Sequence, residues 1–226
     1  MDPARALSRR LRAAIGDERV LDAIATVPRE LFVGEVDYRR AYENVALPIE
    51  CGQTISQPIV VARMLELLEV RPSDRVLDVG TGSGYHAALL ARLAREVWTI
   101  ERHAELSARA QAVLDAAGIV NVTCVLGDGW EGLAAQAPFD AINVAAATGD
   151  APPVALEDQL ATGGRLVAPV GRRKQYLVRV RRTERGLMSE RFDPVRFVPL
   201  VRGEVGQTPE DPPPGSPRPG DRSPPR

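Results

Sequence analysis

Cysteine and histidine are scarce in this 226-residue chain, with two of each. Cys51 and Cys124 do not make a disulfide framework, so a reduced cytoplasm is the expected compartment. Nothing beside Cys51 would lower its pKa, which points to packing over reactivity. His86 and His103 show no metal-ligand spacing, and no metal is expected. An excess of either charge is also missing. Lys plus Arg number 29 and Asp plus Glu 30, a net charge of −1. That excludes a general attraction for nucleic acid or for a membrane surface. No apolar run approaches the ~18 residues of a membrane span, and the polar N-terminus is no secretory signal. The length suits one sizeable α/β domain, expected to be a monomer.

What is present centres on VLDVGTGSGY, residues 76–85. It reads as a buried parallel strand, a glycine-rich turn and a helix start. Gly80, Gly82 and Gly84 allow a tight turn and close approach of a ligand. The helix after them aims free N–H groups and its positive dipole end back at that turn. Alone, the glycines also fit a dinucleotide-binding turn or a turn with no ligand. Asp78 stands at the end of the first strand. The next strand, 96–100, leads into Glu101, 23 positions after Asp78 and well placed for ribose hydroxyls. A third apolar run, Val122–Leu126, ends at Gly127, Asp128 and Gly129. Three carboxylates at the carboxyl edge of three successive strands suit a nucleoside without phosphate and repel a pyrophosphate. S-adenosylmethionine fits that description.

Upstream, residues 3–46 read as helical. Leu7, Leu11 and Ile15 make one apolar stripe, and Val20, Leu21, Ile24 and Val27 a second. Pro28 stops the second helix. Leu31, Phe32 and Val33 are expected to pack on the main domain. Tyr38 and Tyr42, four apart, are expected on one helical face, as core contacts or as a wall beside the site. CGQTISQP, residues 51–58, then opens a helix at Pro58. Ser56 is read either as a helix cap or as part of an anion-binding corner at that helix N-terminus.

GQTISQP, LDVGTGSGY, GDGW, PFDAI and FVPLV, in this order, resemble the protein-L-isoaspartate O-methyltransferase family, as do VPRELFV and NVALPI. The resemblance implies a doubly wound, Rossmann-like sheet of seven strands, mostly parallel with one antiparallel strand, behind an N-terminal helical extension. Residues 1–50 would be the helical segment packed on the core and 51–206 the methyltransferase domain. It implies S-adenosylmethionine as methyl donor and an isoaspartyl or D-aspartyl carboxylate in proteins or peptides as acceptor. Carried over by position, Ser56 is the active-site serine, and Gln53, Thr54 and Ile55 form the loop over cofactor and substrate. Asp78, Gly80, Gly82 and Gly84 match the cofactor turn, Glu101 the ribose acid, and Asp128 with Gly129 the adenine side. The sequence departs from the family at AAATGDAPP, residues 145–153, where a shorter stretch is usual beside the methyl-transfer site.

A peptide carboxylate, with a pKa of roughly 3.3–4.3, is already ionised at neutral pH, so no general base is needed. Two other functions remain compatible: an aspartyl methyltransferase dedicated to one peptide, and a non-catalytic adenosylmethionine-binding module. Further strands are expected at Phe139–Val144, 165–170, 175–182 and 196–200. Residues 175–182 would turn their basic side chains to solvent. Residues 207–226 carry eight prolines in twenty positions and read as a disordered tail.

Overall fold

Two aspartates start the N-terminal helices. Asp2 accepts from the amides of Ala4 and Arg5 at the head of α1 (Pro3–Leu11). Asp17 does the same for Arg19 and Val20 at the head of α2 (Glu18–Thr26). Both satisfy donors that the helices cannot satisfy themselves. Leu7, Leu11, Val20, Leu21 and Ile24 are buried, so both apolar stripes face the core. Beyond Pro28 the chain makes 3-10 turns at Arg29–Phe32 and Glu35–Arg40 rather than α-helix. Three residues per turn align positions three apart, so Arg29 and Phe32 both point inward. Leu31 and Tyr38 are turned out to solvent, against the packing and the shared Tyr38–Tyr42 face expected for them.

The computed structural model describes residues 2–203, 205 and 206; the expected tail lies outside them. A two-residue ribbon, β1 (Leu47–Pro48) and β2 (Thr54–Ile55), precedes α3 (Pro58–Leu68). Then follow β3 (Arg75–Val79), α4 (Tyr85–Leu93), β4 (Glu96–Glu101), α5 (Ala104–Ala116) and β5 (Val122–Leu126). The chain ends through β6 (Phe139–Val144), α6 (Val154–Asp158), β7 (Leu160–Val170), β8 (Gln175–Thr183) and β9 (Gly186–Val195).

The main sheet has the order β5-β4-β3-β6-β7-β8-β9. Its first five strands pair in parallel, and β8 runs against both β7 and β9. This is the Rossmann-like, mostly parallel seven-stranded sheet, with its helical extension at the N-terminus. The chain winds outward from β3 to β5, then returns to the other side of β3 for β6 and β7. Crossovers of one hand therefore put α4 and α6 on opposite faces. One core joins Leu7, Leu21, Leu65 and Leu89 to Val76, Val97 and Val167 of the sheet. The other gathers Leu77, Val79, Ile142, Val144 and Leu166 with Leu156 of α6.

Two expectations about the last strands are corrected. The seventh strand is Gly186–Val195, and residues 196–200 are an extended segment tied to Ala147 by two backbone hydrogen bonds of 2.8 Å. Strand β9 is an edge strand exposed along most of its length, so it carries no apolar alternation to find. Nor do the arginines of β8 simply face solvent. Arg179 and Arg181 both bind the Glu69 carboxylate, and Arg179 and the buried Arg165 reach the carbonyls of Leu67 and of Leu68 and Glu69. Cations at this end complement the negative pole of α3.

Candidate active site

Strand β3 is where the winding reverses, and the crevice above its carboxyl end is the expected binding position of such a sheet. Register puts Thr99 of β4 and Asn143 of β6 directly beside Asp78. Asp78 accepts from Asn143 Nδ2 at 2.7 Å and from the Thr99 hydroxyl at 3.0 Å. It is fully buried beneath the turn and does not line the cleft. Burial pushes its carboxyl up to about 7, against the pull of the Asn143 and Thr99 hydrogen bonds and with a small addition from Glu101. Asp78 thus clamps three strand ends together, and Thr99 and Asn143 are its partners.

The turn itself runs over this clamp. Gly80 and Gly82 adopt φ of +90° and +52°, a region that side-chain-bearing residues avoid, and both line the cleft. Gly84 does not. It heads α4 with φ +87°, and a Cβ there would sit 3.3 Å from Ala110, so its smallness serves the packing of α4 on α5. Glu101 holds the turn from the side. One carboxylate oxygen accepts from Gly82 N at 2.9 Å, the other from Arg102 N and His103 N at 2.9 and 3.0 Å. Gly129 lines the same cleft where a Cβ would lie 2.6 Å from Val79. Asp128 stands just outside it, accepting from Trp130 N at 2.9 Å and Gly203 N at 2.7 Å. It thereby ties the C-terminal segment, whose residues Val198 to Val201 form one wall, to the end of β5.

Gln53, Thr54, Ile55 and Ser56 supply the opposite wall. The N-cap of α3 is Gln57, with no side-chain cap bond. Asn44 does the capping instead: its side-chain oxygen accepts from Ile59 N at 3.0 Å, and its carbonyl accepts from Gln57 Nε2 at 2.8 Å. The Ser56 hydroxyl is therefore not consumed by the helix. Its backbone is fixed from below by Arg29, which is fully buried and donates to the carbonyls of Ser56 and Ala41, both at 2.9 Å. The guanidinium also lies 4.8 Å from the centre of the Tyr85 ring.

Arg29, Tyr85 and His86 were not among the residues singled out from sequence. The signal available was the charged pair Arg29 and Glu30 inside VPRELFV, which nothing in the periodicity explains. Tyr85 and His86 line the cleft, and neither is a base at neutral pH. Burial and the nearby Arg29 hold His86 down at about 4, whereas burial lifts the Tyr85 hydroxyl to about 12 despite Arg29. Cys51 is raised by burial and then by Glu105, which leaves it a thiol. Among the described residues no three His, Cys, Asp or Glu side chains form a possible metal site.

A cleft of about 510 Å³ with a glycine turn, the Glu101 carboxylate and apolar Ile100 and Leu200 fits a nucleoside with an amino-acid tail. The chain's one lysine, Lys174, is not part of it, so no phosphate-cradling lysine is present. Fold and crevice together define an S-adenosylmethionine-dependent methyltransferase. The model of the protein-L-isoaspartate(D-aspartate) O-methyltransferase family matches residues 4–205. The protein-L-isoaspartate O-methyltransferase of Koribacter versatilis (strain Ellin345) is 54% identical over 211 residues, 92% of this chain and 94% of that relative. A solved protein-L-isoaspartate O-methyltransferase superposes with a TM-score of 0.77 at 28% identity, over 89% of this chain and 66% of that one. A Plasmodium falciparum protein described as a putative protein-L-isoaspartate O-methyltransferase, solved with S-adenosyl-L-homocysteine, gives a TM-score of 0.76 at 25% identity, over 88% of this chain and 99% of that one. The chain belongs to the protein-L-isoaspartate(D-aspartate) O-methyltransferase family.

Proposed function

We propose that the chain methylates the free carboxyl of L-isoaspartyl residues in damaged proteins or peptides, with Ser56 as the residue that holds the acceptor. The observation that carries this is the Ser56 hydroxyl, left free of helix capping by Asn44 and set in the wall of the cofactor cleft. S-adenosylmethionine, when bound, supplies a methyl group on a positively charged sulfur. Glu101 is assigned its ribose hydroxyls, Gly80 and Gly82 the close backbone approach, and Gly129 with Ile100 the adenine side. Gln53, Thr54 and Ile55 cover the cleft and exclude water.

The acceptor arrives ionised, so no residue has to remove a proton. The chain must instead fix one carboxylate oxygen in line for attack and keep the other hydrogen-bonded. The Ser56 hydroxyl donates to that second oxygen, and Arg29 fixes the Ser56 backbone that carries it. His86, lowered to about 4, is a weak base, and Tyr85, raised to about 12, keeps its proton. The carbonyl carbon of the methyl ester is then open to attack by the neighbouring backbone nitrogen, with the methoxy group as leaving group. Ring closure to a succinimide releases methanol, and hydrolysis returns a mixture from which repeated cycles enrich the aspartyl linkage. Residues 51–206 are the catalytic unit in this reading, 1–50 brace it through Arg29, and the chain acts as a cytoplasmic monomer. Among the described residues no helix is long and apolar enough to cross a membrane.

The deciding assay is methyl transfer from labelled cofactor to paired peptides that differ only in aspartyl or isoaspartyl linkage. Labelling of the isoaspartyl member alone is expected. Labelling of neither, or of the aspartyl member alone, rejects the proposal.

The cofactor assignment has its own test. Glu101→Gln keeps the size but removes the charge that the ribose hydroxyls meet, along with one of the two oxygens that accept from backbone amides of the turn. A hydrogen bond to a charged group is worth about 1.5–3 kcal/mol, so affinity for S-adenosylmethionine should fall about tenfold or more. Calorimetric titration with unchanged affinity would remove Glu101 from the ribose site.

A further inference from the structure

Pro199 and Leu200 line both the cofactor cleft and a second, larger one of about 1140 Å³ beside it. Its walls are the 147–151 loop, the turn from Gly171 to Lys174, and the exit of β9 from Pro194 to Phe197. The first wall belongs to AAATGDAPP, residues 145–153. Arg172, Arg173, Lys174 and Arg196 line this cleft against a single carboxylate, Asp150. Asp150 is already taken by Arg172 at 3.0 Å. Among the described residues no carboxylate pairs with Arg173, Lys174 or Arg196. Elsewhere the arginines are largely engaged, as Arg63, Arg75, Arg109, Arg179 and Arg202 show. With a net charge of −1, the chain has no general basic excess to account for this concentration.

The backbone that carries the cations is held in place. Gly171 adopts φ +131°, and a Cβ there would lie 2.0 Å from the Lys174 carbonyl oxygen, so the turn closes only on glycine. Three consecutive basic residues are thereby set at the tip between β7 and β8. Gly171 N donates to Gly149 O at 2.6 Å and Thr148 N to Pro169 O at 3.0 Å, which locks the turn to the facing loop. Trp130, Tyr176 and Phe197 add aromatic surface along the same cleft.

We infer that this cleft seats the polypeptide on one side of the acceptor residue and selects chains with aspartate or glutamate there. The inference rests on the carboxyl methyltransferase reading above. The two clefts share Pro199 and Leu200, so a chain with its acceptor at Ser56 has this basic cleft as its continuation. Unpaired cations on its walls favour carboxylates and repel lysine and arginine. Flanking contacts made equally before and during methyl transfer act on KM and not on kcat.

The test measures KM for four isoaspartyl peptides: acidic residues before the acceptor, acidic residues after it, glutamine and asparagine at both places, and lysine at both. Exposed ion pairs are individually weak, so three together amount to about a tenfold lower KM for at least one acidic peptide than for the neutral one. The lysine peptide should be the poorest, and ~0.5 M salt should shrink the differences. In the variant Arg173→Gln, Lys174→Gln, Arg196→Gln, checked for unchanged Tm, the acidic peptide should lose its advantage over the neutral one. Equal KM across the series, or an advantage that survives in the variant, overturns the basic subsite while leaving isoaspartyl methylation standing. Failure to methylate any of the four instead overturns the isoaspartyl reading itself.

Discussion

Replacing Ser56 with alanine is expected to lower kcat for methyl transfer to an isoaspartyl peptide by about 10²–10³, the effect of losing one aimed donor in a dehydrated site. Cofactor affinity and Tm should change little. A serine that capped α3 would behave in the opposite way, costing about 0.5–2 kcal/mol of stability and little activity. The structure separates these outcomes because Asn44 already serves the first turn of α3 and Ser56 contributes no cap bond. What alanine removes is the hydroxyl alone: the Ser56 carbonyl keeps its hydrogen bond from Arg29. Cofactor affinity, Tm and single-turnover methyl transfer belong on one preparation. A variant that melts lower yet transfers methyl at a near-normal rate would return Ser56 to a structural role.

The central strands were legible because β3, β4 and β6 are covered on both faces, and a strand buried twice is a continuous apolar run. The glycine turn was legible because its backbone has to take positive φ. Position along the chain also placed Glu101 at the edge, since strand ends in a parallel sheet come together. Register was not legible. Nothing local in the sequence says that Thr99 and Asn143 flank Asp78, so the sequence shows an acid at the cofactor turn without showing the buried clamp it forms beneath it. Gly84 shares the spacing and the motif of the glycines that line the cleft, although its neighbour is Ala110 of α5. Strand β9, wet on both faces, has no period, and the FVPLV segment after it resembles a strand while serving as the cleft wall. Arg29 was missed for a related reason: periodicity reports apolar burial and is silent about a buried cation satisfied by two carbonyls.

The stability gap between the Asp78→Asn variant and the parent chain should widen in the variant's favour as pH rises. Unfolded, Asp78 titrates near the ordinary carboxyl value of 3.8; folded, burial lifts it to about 7. Between those values the folded chain keeps a proton that the unfolded chain has released. Raising the pH across that window therefore favours unfolding, by about 1.4 kcal/mol per pH unit for this one group. Below the window the carboxyl is protonated in both states, and above it ionised in both, so the slope belongs to the window alone. Asparagine does not titrate. Its oxygen keeps the Thr99 hydroxyl, and its amide nitrogen faces Asn143, whose side-chain oxygen is buried without a partner and can accept once that amide turns over. Urea titrations of both proteins without cofactor, from pH 5 to 7.5, should show the gap growing by about 3 kcal/mol and then levelling off. Acid-sensitive groups elsewhere cancel in this difference, because both chains share them. A gap that stays constant across the range would mean that Asp78 is ionised throughout, with the Asn143 and Thr99 hydrogen bonds outweighing the cost of its burial.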